Sequence, residues 1–176
     1  MNMEANQRTF EALVNAYSTD MYRYAYWLCQ NSALAEDLVQ EAFVRAWKAL
    51  DSLDDHKAAK GWLFTIVRRE NARYFERKHT NDVSLENIEY DQIIGDTDDF
   101  ANIEHLVLRR ALKILPKEYM EPLLLQVIGG YSCDEIAKII ESQPGAVMTR
   151  LSRARQKMRD IMTQEKHSSK KFKNRI

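Results

Sequence analysis

The chain has 176 residues, 45% of them apolar and 30% charged, with 26 Lys and Arg against 26 Asp and Glu. That length holds one domain or two small ones, and five Gly with three Pro are too few turn-formers for an all-β chain. No run approaches the roughly 18 consecutive apolar residues of a membrane span, and the polar start MNMEANQRTF lacks the apolar core of a secretory signal, so a cytoplasmic protein without direct membrane insertion is expected.

The net charge is zero only on average. Residues 81–104 hold eight acids (Asp82, Glu86, Glu89, Asp91, Asp96, Asp98, Asp99, Glu104) and no Lys or Arg. Residues 60–78 carry six bases against Glu70 and Glu76, and residues 142–176 carry ten against Asp160 and Glu165. Segregated charge of this kind lets local basic faces bind phosphate while an acidic segment offsets them in the total.

Taken in chain order, Phe10, Leu13, Val14, Tyr17, Met21, Tyr24 and Leu28 recur at three- and four-residue spacing and predict an amphipathic helix. A break at Gln30-Asn31-Ser32 follows. AEDLVQEAFVRAWKAL then puts Leu38, Val39, Ala42, Phe43, Ala46, Trp47 and Leu50 on one side, with Glu36, Asp37, Gln40, Glu41, Arg45 and Lys48 on the other. Acids in the first turn of that helix suit its dipole. A third helix, from about 60 to 78, buries Leu63, Ile66, Val67 and Tyr74 and turns Thr65, Arg68, Arg69, Ala72 and Arg73 outward.

The acidic segment has weak periodicity and a Gly95-Asp96 turn signal, and reads as a tether. After it, Ser132-Cys133-Asp134-Glu135 forms a capping box behind the Gly129-Gly130 turn. Ile136, Ala137, Ile139 and Ile140 make a short apolar stripe that Ser142-Gln143-Pro144-Gly145 stops. The next helix carries the seam Val147, Leu151, Ala154, Met158 and Ile161. Opposite the seam lie Thr149, Ser152, Arg153, Gln156 and Arg159, flanked by Met148 and Arg155 on one side and Arg150 and Lys157 on the other. Two short helices with a turn, the second polar and Arg-rich on its free face, suit a major groove. The fold class is therefore all-α: two small helical domains, 1–80 and 105–163, joined by an acidic linker over 81–104, the second a helix-turn-helix. The basic tail 164–176 reads as disordered.

Both blocks together resemble the bacterial sigma factors of RNA polymerase, specifically the compact extracytoplasmic-function (ECF) type. AEDLVQEAFVRAWKAL looks like the family's helix that grips the clamp of the polymerase β′ subunit. GWLFTIVRRENARYFERK resembles its helix for the melted minus-ten element. LPKEYMEPLLLQVIGGYSCDEIAKIIESQPGAVMTRLSRARQKMRD resembles its helix-turn-helix for the minus-thirty-five element. The resemblance covers about residues 8 to 162. It implies partners in core polymerase (β′ clamp and β flap), promoter DNA and an anti-sigma factor, and a role in transcription initiation under a stress or envelope signal, without catalysis of its own.

On this resemblance Asp37, Gln40, Glu41 and Arg45 bind core polymerase. His56, Lys57, Lys60, Trp62, Thr65, Arg68, Arg69 and Arg73 meet minus-ten DNA, with Trp62 read as packing more than base contact. Met148, Thr149, Arg150, Ser152, Arg153, Arg155 and Lys157 meet minus-thirty-five DNA. Thr65 and Arg69 depart from the Arg and Asn that family members often carry there, and Gly145-Ala146-Val147 stands where many have Gly-Thr-Val, so promoter preference is where carry-over is least direct. The acidic segment either imitates a transcript in a basic RNA channel or is a solvated linker.

Two other readings compete. One is a helix-turn-helix regulator that never joins the polymerase, with 1–80 as sensor or dimerisation domain; the basic, aromatic-bearing helix with Trp62 and Phe64 argues against it. The other is a metal-dependent nuclease using Asp54, Asp55, Asp98 and Asp99, which lie in a loop and a tether rather than on rigid facing elements. Cys29 and Cys133 stand apart without a CxxC, and His56, His79, His105 and His167 lack ligand spacing, so no metal site or cofactor is expected.

Overall fold

The protein is described here by a computed structural model covering residues 3–53, 55, 58–80 and 103–173. Three helices make the first unit: α1 (Met3–Cys29), α2 (Ser32–Lys48) and α3 (Ala59–Thr80), with a 3-10 turn at Leu50–Ser52 between α2 and α3. Four make the second: α4 (Ile103–Ile114), α5 (Lys117–Val127), α6 (Cys133–Ile139) and α7 (Pro144–Lys173).

In the first unit each helix packs on the other two. Met21 and Tyr24 of α1 and Leu63, Phe64 and Val67 of α3 are fully buried. The α2 side of this core is lined by Ala35, Ala42 and Ala46, which lose no side-chain entropy on burial and let the neighbours approach closely. The turn between α1 and α2 is tight because Gln30 takes a left-handed backbone (φ 53°). Asn31 then caps α2, its side chain accepting from the Leu34 N–H at 2.8 Å. The helix thus starts earlier than its apolar pattern indicated, and the first turn carries no acid; Glu36 and Asp37 sit one turn in.

Three apolar assignments need correction. Trp47 is 42% exposed and Tyr74 40% exposed. Trp47 leans edge-on against Phe10, which also meets Phe43, forming an aromatic cluster at the rim of the core. Tyr74 lies on the far turns of a 22-residue α3 and meets Phe75. Phe64, left out of the apolar face of α3 above and cited only as making that helix aromatic-bearing, is core.

In the second unit, Val147, Leu151, Ala154 and Met158 of α7 close over Ile136, Ala137, Met120 and Leu125, so the four-three-four seam is the packed face. The capping box is present in both halves. Ser132 Oγ accepts from Glu135 N–H at 3.3 Å, and Glu135 Oε2 accepts from Ser132 N–H at 2.8 Å. The Ser132 N–H first, and the Ser132 O–H second, which also donates to Oε2 at 2.8 Å, hold the Glu135 carboxyl below its ordinary value, and Ser132→Ala removes the second. Ser132→Ala should therefore cost about 1 kcal/mol, read as a fall in Tm of about 2–4 °C. Because the Glu135 pKa is depressed, its stabilisation is present at neutral pH and is lost as pH falls through that lowered value. The difference in Tm between wild type and Ser132→Ala should accordingly shrink in acid.

Glu141, with φ 55°, turns the chain after α6. Pro144 does more than stop α6: it is the first residue of α7, where its missing N–H costs nothing. The tail read as disordered is helical as far as Lys173, since neither Gly nor Pro follows Gly145 to end α7. Of the acidic segment, 81–102 lies outside the described residues, and Ile103 and Glu104 already belong to α4.

The two units are packed together. α3 meets α6 and α1 meets α5, and the buried residues form one continuous cluster. Tyr131 is the keystone, its ring edge-on to Phe64 at 5.6 Å. The approach requires Gly129, where a Cβ would lie 2.3 Å from the Tyr131 ring. Gly130 takes φ 73°, a conformation that suits only glycine well.

Candidate nucleic-acid interface

α3 aims its bases at the second unit. Lys60 Nζ donates to the Gly129 carbonyl at 2.8 Å, lies 3.6 Å from Asp20, and sits over the rings of Phe64 and Tyr131. Arg68 Nε donates to Glu121 Oε1 at 2.8 Å, and the same oxygen accepts from Tyr24 O–H at 3.0 Å. Full burial first, and the Glu121 charge second, push the Tyr24 hydroxyl well above its ordinary pKa, so it stays a donor. Arg69 Nη2 reaches Glu141 Oε1 at 3.3 Å on the exposed rim.

Arg73 faces the other way. Its Nη1 donates to Glu70 Oε1 at 2.6 Å. Arg45 of α2 places Nε 2.6 Å from the same oxygen, an ion contact whose N–H is not aligned as a hydrogen bond. Glu70 is 5% exposed and joins α2 to α3. Thr65 Oγ1 is turned onto its own helix, donating to the Gly61 carbonyl. Trp62 is half-buried and lines a cleft of about 600 Å³ between the units, with Tyr17, Lys60, Thr65, Tyr131 and Lys138. His56 and Lys57 lie outside the described residues.

On α2, Asp37, Gln40 and Glu41 are exposed at i, i+3 and i+4. Glu41 Oε1 lies 3.1 Å from Arg45 Nη2. Arg45 therefore holds Glu41 and Glu70 at once.

On α7, Met148 (60% exposed), Thr149, Ser152 and Arg153 face outward near the helix start. Arg155 donates to Gln126 Oε1 of α5, and Lys157 Nζ lies 5.8 Å from the Tyr119 ring centre. Both are drawn toward the body of the unit, whereas Arg150 is half-buried. The residues missed in the sequence are Glu70, Glu121 and Glu141. The signal for the first two was available: each is an isolated acid, one in a basic helix and one in the apolar run YMEPLLL.

A three-helix unit with an exposed polar face, followed by a helix-turn-helix with an exposed Arg, is the arrangement of a DNA-binding protein. Residues 13–80 match the family model Sigma-70 region 2, and residues 105–158 match Sigma-70, region 4. The chain is 30% identical over 162 residues to the ECF RNA polymerase sigma factor SigM of Bacillus subtilis (strain 168), covering 87% of this chain and 94% of that one. It is 29% identical over 173 residues to SigW of the same strain, covering 89% and 90%. The chain belongs to the ECF sigma factors of RNA polymerase. Its fold matches that of the sigma factor RpoE from Bartonella quintana, solved with the anti-sigma factor NepR, with a TM-score of 0.67 at 24% identity over 91% of this chain and 95% of that chain. The regulator reading is not favoured, because the region 2 match occupies the unit it would need as a sensor.

Proposed function

We propose that this chain docks on core RNA polymerase through Asp37, Gln40, Glu41 and Arg45 and reads a promoter with two faces. The α3 face and the loop before it take the melted minus-ten strand; the α7 face takes the minus-thirty-five duplex. The polymerase supplies all the chemistry, no cofactor is needed, and the chain works in the cytoplasm. An anti-sigma factor restrains it, as NepR is bound to RpoE. One observation carries the reading most: the first two turns of α7 present Met148, Thr149, Ser152 and Arg153 outward while Val147 and Leu151 are buried, the placement of a recognition helix. Run-off transcription on a promoter library with core polymerase tests it; initiation that does not depend on added protein would overturn it.

Arg153 is the base reader on this proposal, and Lys157, held over Tyr119, is at most a phosphate contact. Arg153→Ala should cost about 1–3 kcal/mol at preferred sites and change which minus-thirty-five sequences are used, whereas Lys157→Ala should weaken all sequences alike. Selection from a randomised minus-thirty-five library separates the two, and a uniform loss for Arg153→Ala would place the reading residue elsewhere.

A further inference from the structure

The outward face of α7 changes character along its length. Gly145, Met148, Thr149 and Ser152 stand at i, i+3, i+4 and i+7 and are all exposed, so they form one strip at the start of the helix. The first turns of that strip have almost nothing to offer a hydrogen bond. Gly145 has no side chain, and the space its Cβ would fill is open. Met148 holds an unbranched thioether out at 60% exposure. Thr149 Oγ1 donates to the Gly145 carbonyl at 3.0 Å, so its proton is used within the helix. Further along, Gln156 is tied at both ends: its amide N–H donates to Asp160 Oδ1 at 2.8 Å, and its carbonyl accepts from Arg159 at 2.6 Å. Between the two stretches, Ser152 and Arg153 are exposed and have no side-chain partner among the described residues.

One exposed methionine means little by itself. Met148, however, is not needed for the fold, because the packed seam is Val147 and Leu151, and it sits on the part of a recognition helix that enters the groove. The major groove presents hydrogen-bonding edges and one apolar group, the C5 methyl of thymine. We propose that Met148, with the Thr149 methyl beside it, reads a thymine methyl in the minus-thirty-five element, while Ser152 and Arg153 supply the hydrogen-bonded readout. The inference rests on the assignment of α7 to that element and adds a base identity to it. Helical side chains lean toward the N-terminus, so Met148 reaches over the turn that Gly145 leaves bare, and its flexible thioether can settle on an irregular apolar surface. The contact takes apolar surface of both partners out of water, which no cytosine at the same place could match. From Met148 to Arg153 the helix rises about 7.5 Å, about two base steps of duplex at about 3.4 Å each. The methyl and the edge bonded by Arg153 therefore lie close together in one groove.

Deoxyuridine differs from thymidine only by that methyl, so it isolates the contact. The test uses core polymerase with the full chain, titrated in run-off transcription on a promoter selected from a randomised minus-thirty-five library. Each thymine of the element, on either strand, is replaced in turn by uracil. Wild type should lose about fourfold in apparent promoter affinity at one position, the effect of one buried methyl-sized group. That position should lie within about two base pairs of the base whose preference Arg153→Ala relaxes. Met148→Ala should use the thymine and uracil promoters equally there. Met148→Leu, still apolar, should keep the discrimination, and Met148→Gln, similar in length but polar, should lose it. A selected element with no fixed A·T pair, uracil tolerated at every thymine, or the same uracil sensitivity in Met148→Ala would each overturn the methyl contact. Initiation that still depends on the added protein would, in those cases, leave the assignment of α7 standing. Initiation independent of the protein would overturn that assignment and the methyl contact together.

Discussion

Reversing Asp37 and Glu41 together, Asp37→Lys with Glu41→Lys, should abolish assembly with core polymerase while leaving the fold intact. Both side chains are exposed and neither contributes to the core. The structural cost is small, because the Glu41–Arg45 pair is a surface i, i+4 contact worth about 0.3–0.5 kcal/mol. The binding cost is large on the proposed docking face, because two attractive charges become repulsive, and like-charge juxtaposition costs several kcal/mol. Gel filtration with core polymerase reads assembly, and circular dichroism with a melting curve reads the fold. A double variant that still co-elutes with the polymerase would remove α2 from the docking site.

Much of this architecture could be read locally. The three- and four-residue apolar spacing placed α1, α2, α3 and the α7 seam, because a helix that buries one face must repeat at its own period. Ser132 and Glu135 announced the start of α6, because both halves of a capping box lie within one turn. Asn31 capped α2 without a partner acid at the right distance, so the same device was missed there. Trp47 and Tyr74 matched the apolar pattern yet lie exposed, since periodicity gives the angle around a helix and not whether a neighbour reaches that far along it. The contact between the two units was illegible for a different reason. Arg68 and Glu121 are separated by 53 positions, and Arg69 and Glu141 by 72. No local rule pairs residues at that distance, so faces read as open to DNA proved to be covered by another part of the chain.

Loss of Glu70 should cost both stability and assembly. It is the one charged side chain found buried among the described residues, and two guanidiniums converge on its Oε1 at 2.6 Å each. Removing one member of a fully buried ionic cluster costs about 3–5 kcal/mol, because the remaining charges are stranded. Here Arg45 and Arg73 keep 39% and 45% of their side-chain surface exposed and can turn to water. The stranding is partial, and Glu70→Ala should cost about 2 kcal/mol, the scale of a hydrogen bond to a charged group plus a small cavity. Glu70→Leu should cost less than Glu70→Ala, since it refills the space while the two Arg relax outward. Urea unfolding should show lower midpoints at an unchanged m-value. Both variants should also weaken core assembly, because Arg45 loses the contact that fixes it beside Glu41, and the two effects should follow different orders. Stability ranks Leu above Ala; Arg45 placement, lost equally in both, predicts equal weakening of assembly. Assembly that instead tracks stability would mean that Glu70 serves the core alone and positions nothing.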